Sequence, residues 1–211
     1  MINEKQKSGM GMEQDRQFES MLAAASERLA GRSAAEIADK AGVQWEDGAL
    51  RLETLGQKVT VRLPECAVTP ALSKWHTLAL LHYFDLADGT PLRGEQMTFG
   101  TYRDGLVRGG GFDRDTEQLI GTILRRLPRE ELVRRCRALG AEMVPSNADL
   151  CARFRFAPRY PLWMKIWFAD EEFPASGRLL ADRSAPHYLS IEDAVAVGAL
   201  ILNRLAGTEL L

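Results

Sequence analysis

Five residues of chemically capable type fall close together near the C-terminus: Asp182, Arg183, Ser184, His187 and Tyr188. A carboxylate, a guanidinium, a hydroxyl, an imidazole and a phenol in one loop could line an anion or cofactor pocket. The helix expected to open after Ser190 adds free N–H groups and a positive dipole end beside them. Asp182 orienting His187 as a base is also the pairing that general acid–base chemistry needs. The same residues have a local reading. Asp182 and Arg183 can pair, Ser184 can close a turn, Tyr188 can pack, and Ser190 with Asp193 accounts for the helix cap. Polar loops on a rigid scaffold carry function more often than helix faces do, so the set stands as the candidate site.

Other groups are weaker. Asp170-Glu171-Glu172 could hold a hard cation, but three consecutive acids cannot face one point on an extended chain. Turn chemistry accounts for Glu171 and Glu172. Asp170 directly follows a strand and is kept as a candidate. His82 shares a helix face with Trp75, Ala79 and Leu86, which suits a hydrogen-bonded core residue, with a second wall of the site as the alternative. His76 is placed nearer the surface. Trp163, Lys165 and Trp167 share one strand face and could stack on a planar ligand, although a helix cover with an emerging ammonium is the plainer account. Gly109-Gly110-Gly111 has no following Lys-Ser/Thr and reads as a hinge or surface loop rather than a phosphate cradle. No G-x-S-x-G elbow is present.

Composition limits the function classes. The 211 residues are 45% apolar and 27% charged, with a formal net charge of −2. That suits one globular domain and argues against disorder and against a basic nucleic-acid-binding surface. The arginines of 125–137 have i,i+4 acidic neighbours at Glu130 and Glu131, as on a solvated helix. Cys66, Cys136 and Cys151 form no CxxC pair, so neither a zinc cage nor a cluster loop is encoded and no metal site is expected. Their number and spacing point to a reducing compartment. The polar start of the chain is unlike a signal peptide, and the longest apolar run, 194–202, is too short for a bilayer. A cytoplasmic protein is expected, with a mobile N-terminal tail over 1–14 and one domain over 15–211.

The elements that must position the candidate site follow from periodicity. Phe18, Met21, Leu22, Ala25 and Leu29 mark a helix over about 15–30, and Ser33 with Glu36 caps a second that ends before Gly42. Alternation over 43–63 predicts a three-stranded antiparallel meander turning at Asp47-Gly48 and Gly56. A central buried helix is expected from Thr69-Pro70 to about Leu86. Residues 87–114 read as an irregular connection with one short strand around 97–102. Helices follow at 116–127 and 129–139. Strands are expected over 153–156 and 162–168, and one more ends in Asp182-Arg183-Ser184. A final helix after Ser190 has the stripe Ile191, Ala194, Val195, Gly198, Ile201, Leu202 and Leu205. Gly198 permits close approach of another element. The fold class is therefore a single α+β domain. Antiparallel strands from both halves form one or two sheets, packed by the central and C-terminal helices.

The segment IWFADEEFPASGRLLADRSAPHYLSIEDA resembles the signature of the uncharacterised prokaryotic family catalogued as domain of unknown function 3786. Leu81-His82-Tyr83, Gly89-Thr90-Pro91-Leu92 and Phe154-Arg155-Phe156 resemble its weaker marks in the same order, over about 20–206. The resemblance implies an anaerobic prokaryote. It also implies a connection to iron–sulfur or corrinoid-dependent metabolism, because some members are joined to a cysteine-rich iron–sulfur segment. This chain lacks such cysteines, so the cluster or corrinoid would belong to a partner protein. No cofactor and no catalytic residue are carried over. Three functional readings result: a non-catalytic binding or accessory module, a small enzyme using Asp182 and His187, and a purely structural interaction domain.

Overall fold

The computed structural model describes residues 4–208. Helix α1 (Glu4–Ala30) is followed by α2 (Ala34–Ala41). Most of the stretch expected as a tail is thus helical in backbone, and residues 1–3 of it lie outside the described residues. Ser33 accepts a hydrogen bond from the Glu36 N–H at the start of α2, and Gly42 ends it in the left-handed region. Both are the signals that the sequence carries.

The N-terminal meander has four strands, not three: β1 (Gln44–Glu46), β2 (Ala49–Thr54), β3 (Gln57–Arg62) and β4 (Ala67–Thr69), all antiparallel in that order. Residues 67–69 pair with β3, so the buried helix α3 (Lys74–Leu86) opens only after Ser73. Three residues are too short a run for alternation to reveal.

The connection after α3 is less irregular than its composition suggests. It contains β5 (Gln96–Met97) and a single 3-10 turn over Phe99–Thr101, and then α4 begins at Gly105 and runs to Arg126. The three glycines expected to form a hinge or loop are helical. Packing overrides their low helix propensity: α4 lies so close to the Phe99–Gly100 backbone that a Cβ at Gly109 would overlap the Phe99 carbonyl. The Asp113 carboxylate accepts from the Phe99 and Gly100 N–H groups at 3.0 and 2.8 Å and fixes that approach. Helix α5 (Arg129–Ala138) follows, with Glu131 paired to both Arg134 and Arg135.

The second sheet has the order β5-β9-β8-β7-β6, with β6 (Glu142–Met143), β7 (Leu150–Ala157), β8 (Tyr160–Trp167) and β9 (Ser176–Asp182). Its inner face, carrying Phe154, Phe156, Leu162, Met164, Ile166, Leu179 and Ala181, is buried. Helices α3, α4 and the last helix, α6 (Ile191–Ala206), pack together on that side. The expected stripe of α6 is buried along its whole length. Gly198 admits the Phe112 ring, which a Cβ there would meet at 2.5 Å. The outer face keeps Trp163, Lys165 and Trp167 half-exposed, and the Lys165 ammonium donates to Asn147 Oδ1 at 3.0 Å. The two sheets meet where the Leu55 N–H donates to the Arg155 carbonyl at 2.9 Å. The architecture is a single-domain α+β fold with two antiparallel sheets. Among the described residues no helix is long and apolar enough to cross a membrane.

Candidate functional site

Asp182 is the last residue of β9 and is buried. Its position places the carboxylate under the loop between α3 and β5. Oδ1 accepts from the Arg93 N–H at 2.9 Å, the Ser184 N–H at 2.9 Å and the Ser184 hydroxyl at 2.6 Å. Oδ2 accepts from the Gly94 N–H at 2.8 Å. Burial alone raises the Asp182 pKa; the four hydrogen bonds outweigh it and hold the carboxyl below its usual range. Gly94 presents its N–H from a φ of 72°, a conformation that other residues rarely adopt. Next along the chain, the Arg183 N–H donates to the Glu95 carbonyl at 2.8 Å. The Arg183 side chain lies in solvent, 3.3 Å from Glu95 Oε2.

His187 and Tyr188 fasten the other end of the same loop. His187 Nδ1 lies 2.7 Å from Asp88 Oδ2 and 3.2 Å from Thr90 Oγ1. Asp88 Oδ1 accepts from the Thr90 N–H at 2.9 Å. Partial desolvation opposes ionisation of Asp88, but the Thr90 N–H, the His187 ring and the Thr90 hydroxyl draw its pKa down to about 2. The buried Tyr188 hydroxyl donates to the Thr90 carbonyl, and its ring stacks on Tyr83 with centroids 5.5 Å apart. Arg159 completes the clasp by donating to the Gly89 carbonyl and, at 3.2 Å, to the Asp39 carbonyl. The backbone of loop 88–95 is therefore tied at both ends, while Pro91, Leu92, Arg93 and Glu95 remain exposed.

The candidate residues divide into separate groups. Asp182, Ser184, His187 and Tyr188 converge on loop 88–95, and Arg183 points outward beside it. Asp182 and His187 do not pair with each other; the carboxylate on His187 is Asp88. His82 belongs to a neighbouring network. Its Nδ1 lies 2.7 Å from Asp193 Oδ1, and Asp193 Oδ2 accepts from the Ser190 hydroxyl at 2.8 Å. The cap expected from Ser190 and Asp193 is present, with the Asp193 N–H donating to Ser190 Oγ at 3.2 Å. The N-terminus of α6 thus already holds an anion of its own. Asp170 is not brought to the site. It sits in the exposed turn before β9, where Oδ1 accepts from the Glu172 and Phe173 N–H groups at 2.9 and 2.7 Å.

Sequence reasoning missed Asp88, Thr90, Arg93, Gly94 and Arg159. The Asp88–Thr90 spacing is a recognisable Asx turn, but no local pattern marks Arg159 or the Arg93 amide. His76 is also misplaced by that reasoning. It is fully buried, with Nε2 at 2.7 Å from Thr54 Oγ1 and Nδ1 at 3.2 Å from the Arg204 guanidinium. Arg204 donates to Nδ1, so the proton sits on Nε2 and goes to Thr54.

The three cysteines are free and buried, and burial pushes the Cys136 thiol up to about 12. None is poised as a thiolate. Among the described residues no three His, Cys, Asp or Glu side chains gather so as to hold a metal ion.

Residues 33–204 match the family described as Domain of unknown function (DUF3786). The chain belongs to that family. No curated protein and no solved structure matches it. Within the family match lie the clasp, loop 88–95 and the His82–Asp193 network, so the residues that carry the resemblance are those that fasten this corner of the fold.

Proposed function

We propose that this domain is a non-catalytic binding or accessory module that presents loop 88–95 to a protein partner. The observation that carries this reading is the bonding of Asp182. Three donors converge on its Oδ1 and one on its Oδ2, so the most buried acid of the signature is used to hold a loop. The loop's side chains, by contrast, stand exposed on a fixed backbone, which is how a rigid recognition element lowers the entropy cost of binding. The family resemblance supports an iron–sulfur or corrinoid protein of anaerobic metabolism as that partner. The even charge balance and the free, buried thiols support a cytoplasmic setting.

The test is anaerobic purification of the tagged chain from its native host, followed by absorption spectroscopy and identification of co-eluting proteins. An iron–sulfur or corrinoid chromophore is expected with the wild type and is expected to be lost with Arg93→Glu, whose side chain is exposed. A colourless preparation with no reproducible partner overturns the proposal, as does equal retention of the partner by the variant. A second reading draws on the Asp88–His187 pair, since a carboxylate on Nδ1 is how a surface imidazole is oriented as a base. It requires that an activity of the purified protein be lost in His187→Gln and not in Arg93→Glu.

A further inference from the structure

A groove of about 400 Å³ lies on the outer face of the C-terminal sheet, beside loop 88–95. Its size is that of a small-molecule site. Leu92, Pro158, Pro161 and Trp163 give it apolar walls, and Glu53, Glu142, Arg153 and Arg155 bring charge. Much of that charge is already matched. Arg153 is hydrogen-bonded to Glu142, and Asp182, which also borders the groove, accepts from four donors.

Glu142 is shared between Arg153 and Arg155, which leaves that cluster one positive charge in excess, and Glu53 stands apart from it. Arg155 makes no hydrogen bond from its guanidinium among the described residues. Its nearest carboxylate oxygen, Glu142 Oε1, is 3.5 Å away and belongs to a group already bound to Arg153; its side chain is 51% exposed. Glu53 is exposed and has no hydrogen bond or ion pair among the described residues. A guanidinium with donors to spare, as Arg155 has beside its long contact to Glu142, offers a carboxylate a planar, two-donor seat. A free carboxylate offers an ammonium the complementary contact. A purely anionic ligand would face Glu53, and a purely cationic one would face Arg155.

We propose that this groove binds a small zwitterion, specifically a free α-amino acid with an apolar or aromatic side chain. Its carboxylate sits on Arg155, its ammonium on Glu53, and its side chain against Trp163, Leu92 and the two prolines. The assignment rests on the loop reading only in that the clasp fixes Leu92 and Gly94 as one wall.

The experiment uses the isolated full chain, with no partner present, so its failure leaves the docking of loop 88–95 untouched. L-Phenylalanine, 3-phenylpropionate and phenethylamine are titrated separately and followed by calorimetry and amide and indole NMR shifts. Saturable binding of L-phenylalanine is expected, with shifts concentrated at the Trp163 indole and the Gly94 amide. Each single-charge analogue is expected to bind at least about tenfold more weakly, as are Arg155→Gln and Glu53→Gln toward L-phenylalanine. Absence of shifts with L-phenylalanine at millimolar concentration overturns the proposal. So does equal binding of either analogue or by either variant, and so do shifts confined to another surface.

Discussion

Asp170 lies in the turn before β9 and Asp182 ends that strand, and the two use the same local chemistry. Each accepts from a backbone N–H two residues ahead, Glu172 in one case and Ser184 in the other. Asp170 adds only the neighbouring Phe173 N–H and remains in solvent. Asp182 is buried and adds two donors from a loop about ninety positions earlier in the chain. Turn chemistry alone gives an ordered surface corner. The same chemistry plus burial and distant donors gives a tertiary anchor, because a buried acceptor lost there cannot be replaced by water.

The largest expected effect therefore falls on Asp182. Replacing it with Ala removes the acceptor of four hydrogen bonds and strands the Ser184 N–H in the interior. A loss of about 3 kcal/mol is expected in urea unfolding, with faster hydrogen exchange at the Arg93 and Gly94 amides. Retention of slow exchange at both amides would mean that the loop is held without the carboxylate.

The histidines show the same division between buried and exposed groups. Burial first, and the nearby Arg204 cation second, lower the His76 pKa to about 3. In the unfolded chain this imidazole titrates at its ordinary value of 6.5. Below that pH the unfolded state takes up a proton that the folded state refuses, so stability falls as pH drops from 6.5 toward 3. The slope is at most about 1.4 kcal/mol per pH unit, so acidification to pH 5 costs about 2 kcal/mol through this group. His76→Gln keeps polar atoms for Thr54 and Arg204 and is expected to flatten that part of the stability–pH curve. An unchanged slope would show that the ring is protonated in the fold. His187 is half-exposed, and its pair with Asp88 is screened by water. His187→Ala is expected to cost about 1 kcal/mol or less in the same unfolding measurement.

What the sequence revealed follows from how local each signal is. The α6 stripe, the β7–β9 strands and the Ser190 cap depend on neighbours within a few residues and were all legible. His76 was not, because its burial depends on Thr54 and Arg204, which lie on other elements. The glycine run of α4 was misread for a similar reason, since only the Phe99 backbone shows why small residues are needed there. Within the site, Asp182, Ser184, His187 and Tyr188 were legible as a set. Their roles were not, because His187 finds its carboxylate 99 positions away. A pairing of Asp182 with His187 was the nearest answer in sequence, and the fold supplied a different partner for each.

The smallest effect is expected at Asp170, where it separates turn chemistry from anchoring. The Phe173 and Glu172 N–H groups hold its carboxyl below the usual range, so the turn is formed and the charge is used. Asp170→Ala removes both hydrogen bonds, yet the freed N–H groups are at the surface and water replaces the lost acceptor. The change in unfolding free energy is therefore expected to be the smallest of the four and not separable from zero. Asp170→Asn keeps a side-chain oxygen for the same N–H groups and is expected to be closer still to the wild type. A cost at Asp170→Ala approaching that at Asp182→Ala would mean that the local turn, and not the reach to loop 88–95, gives Asp182 its weight.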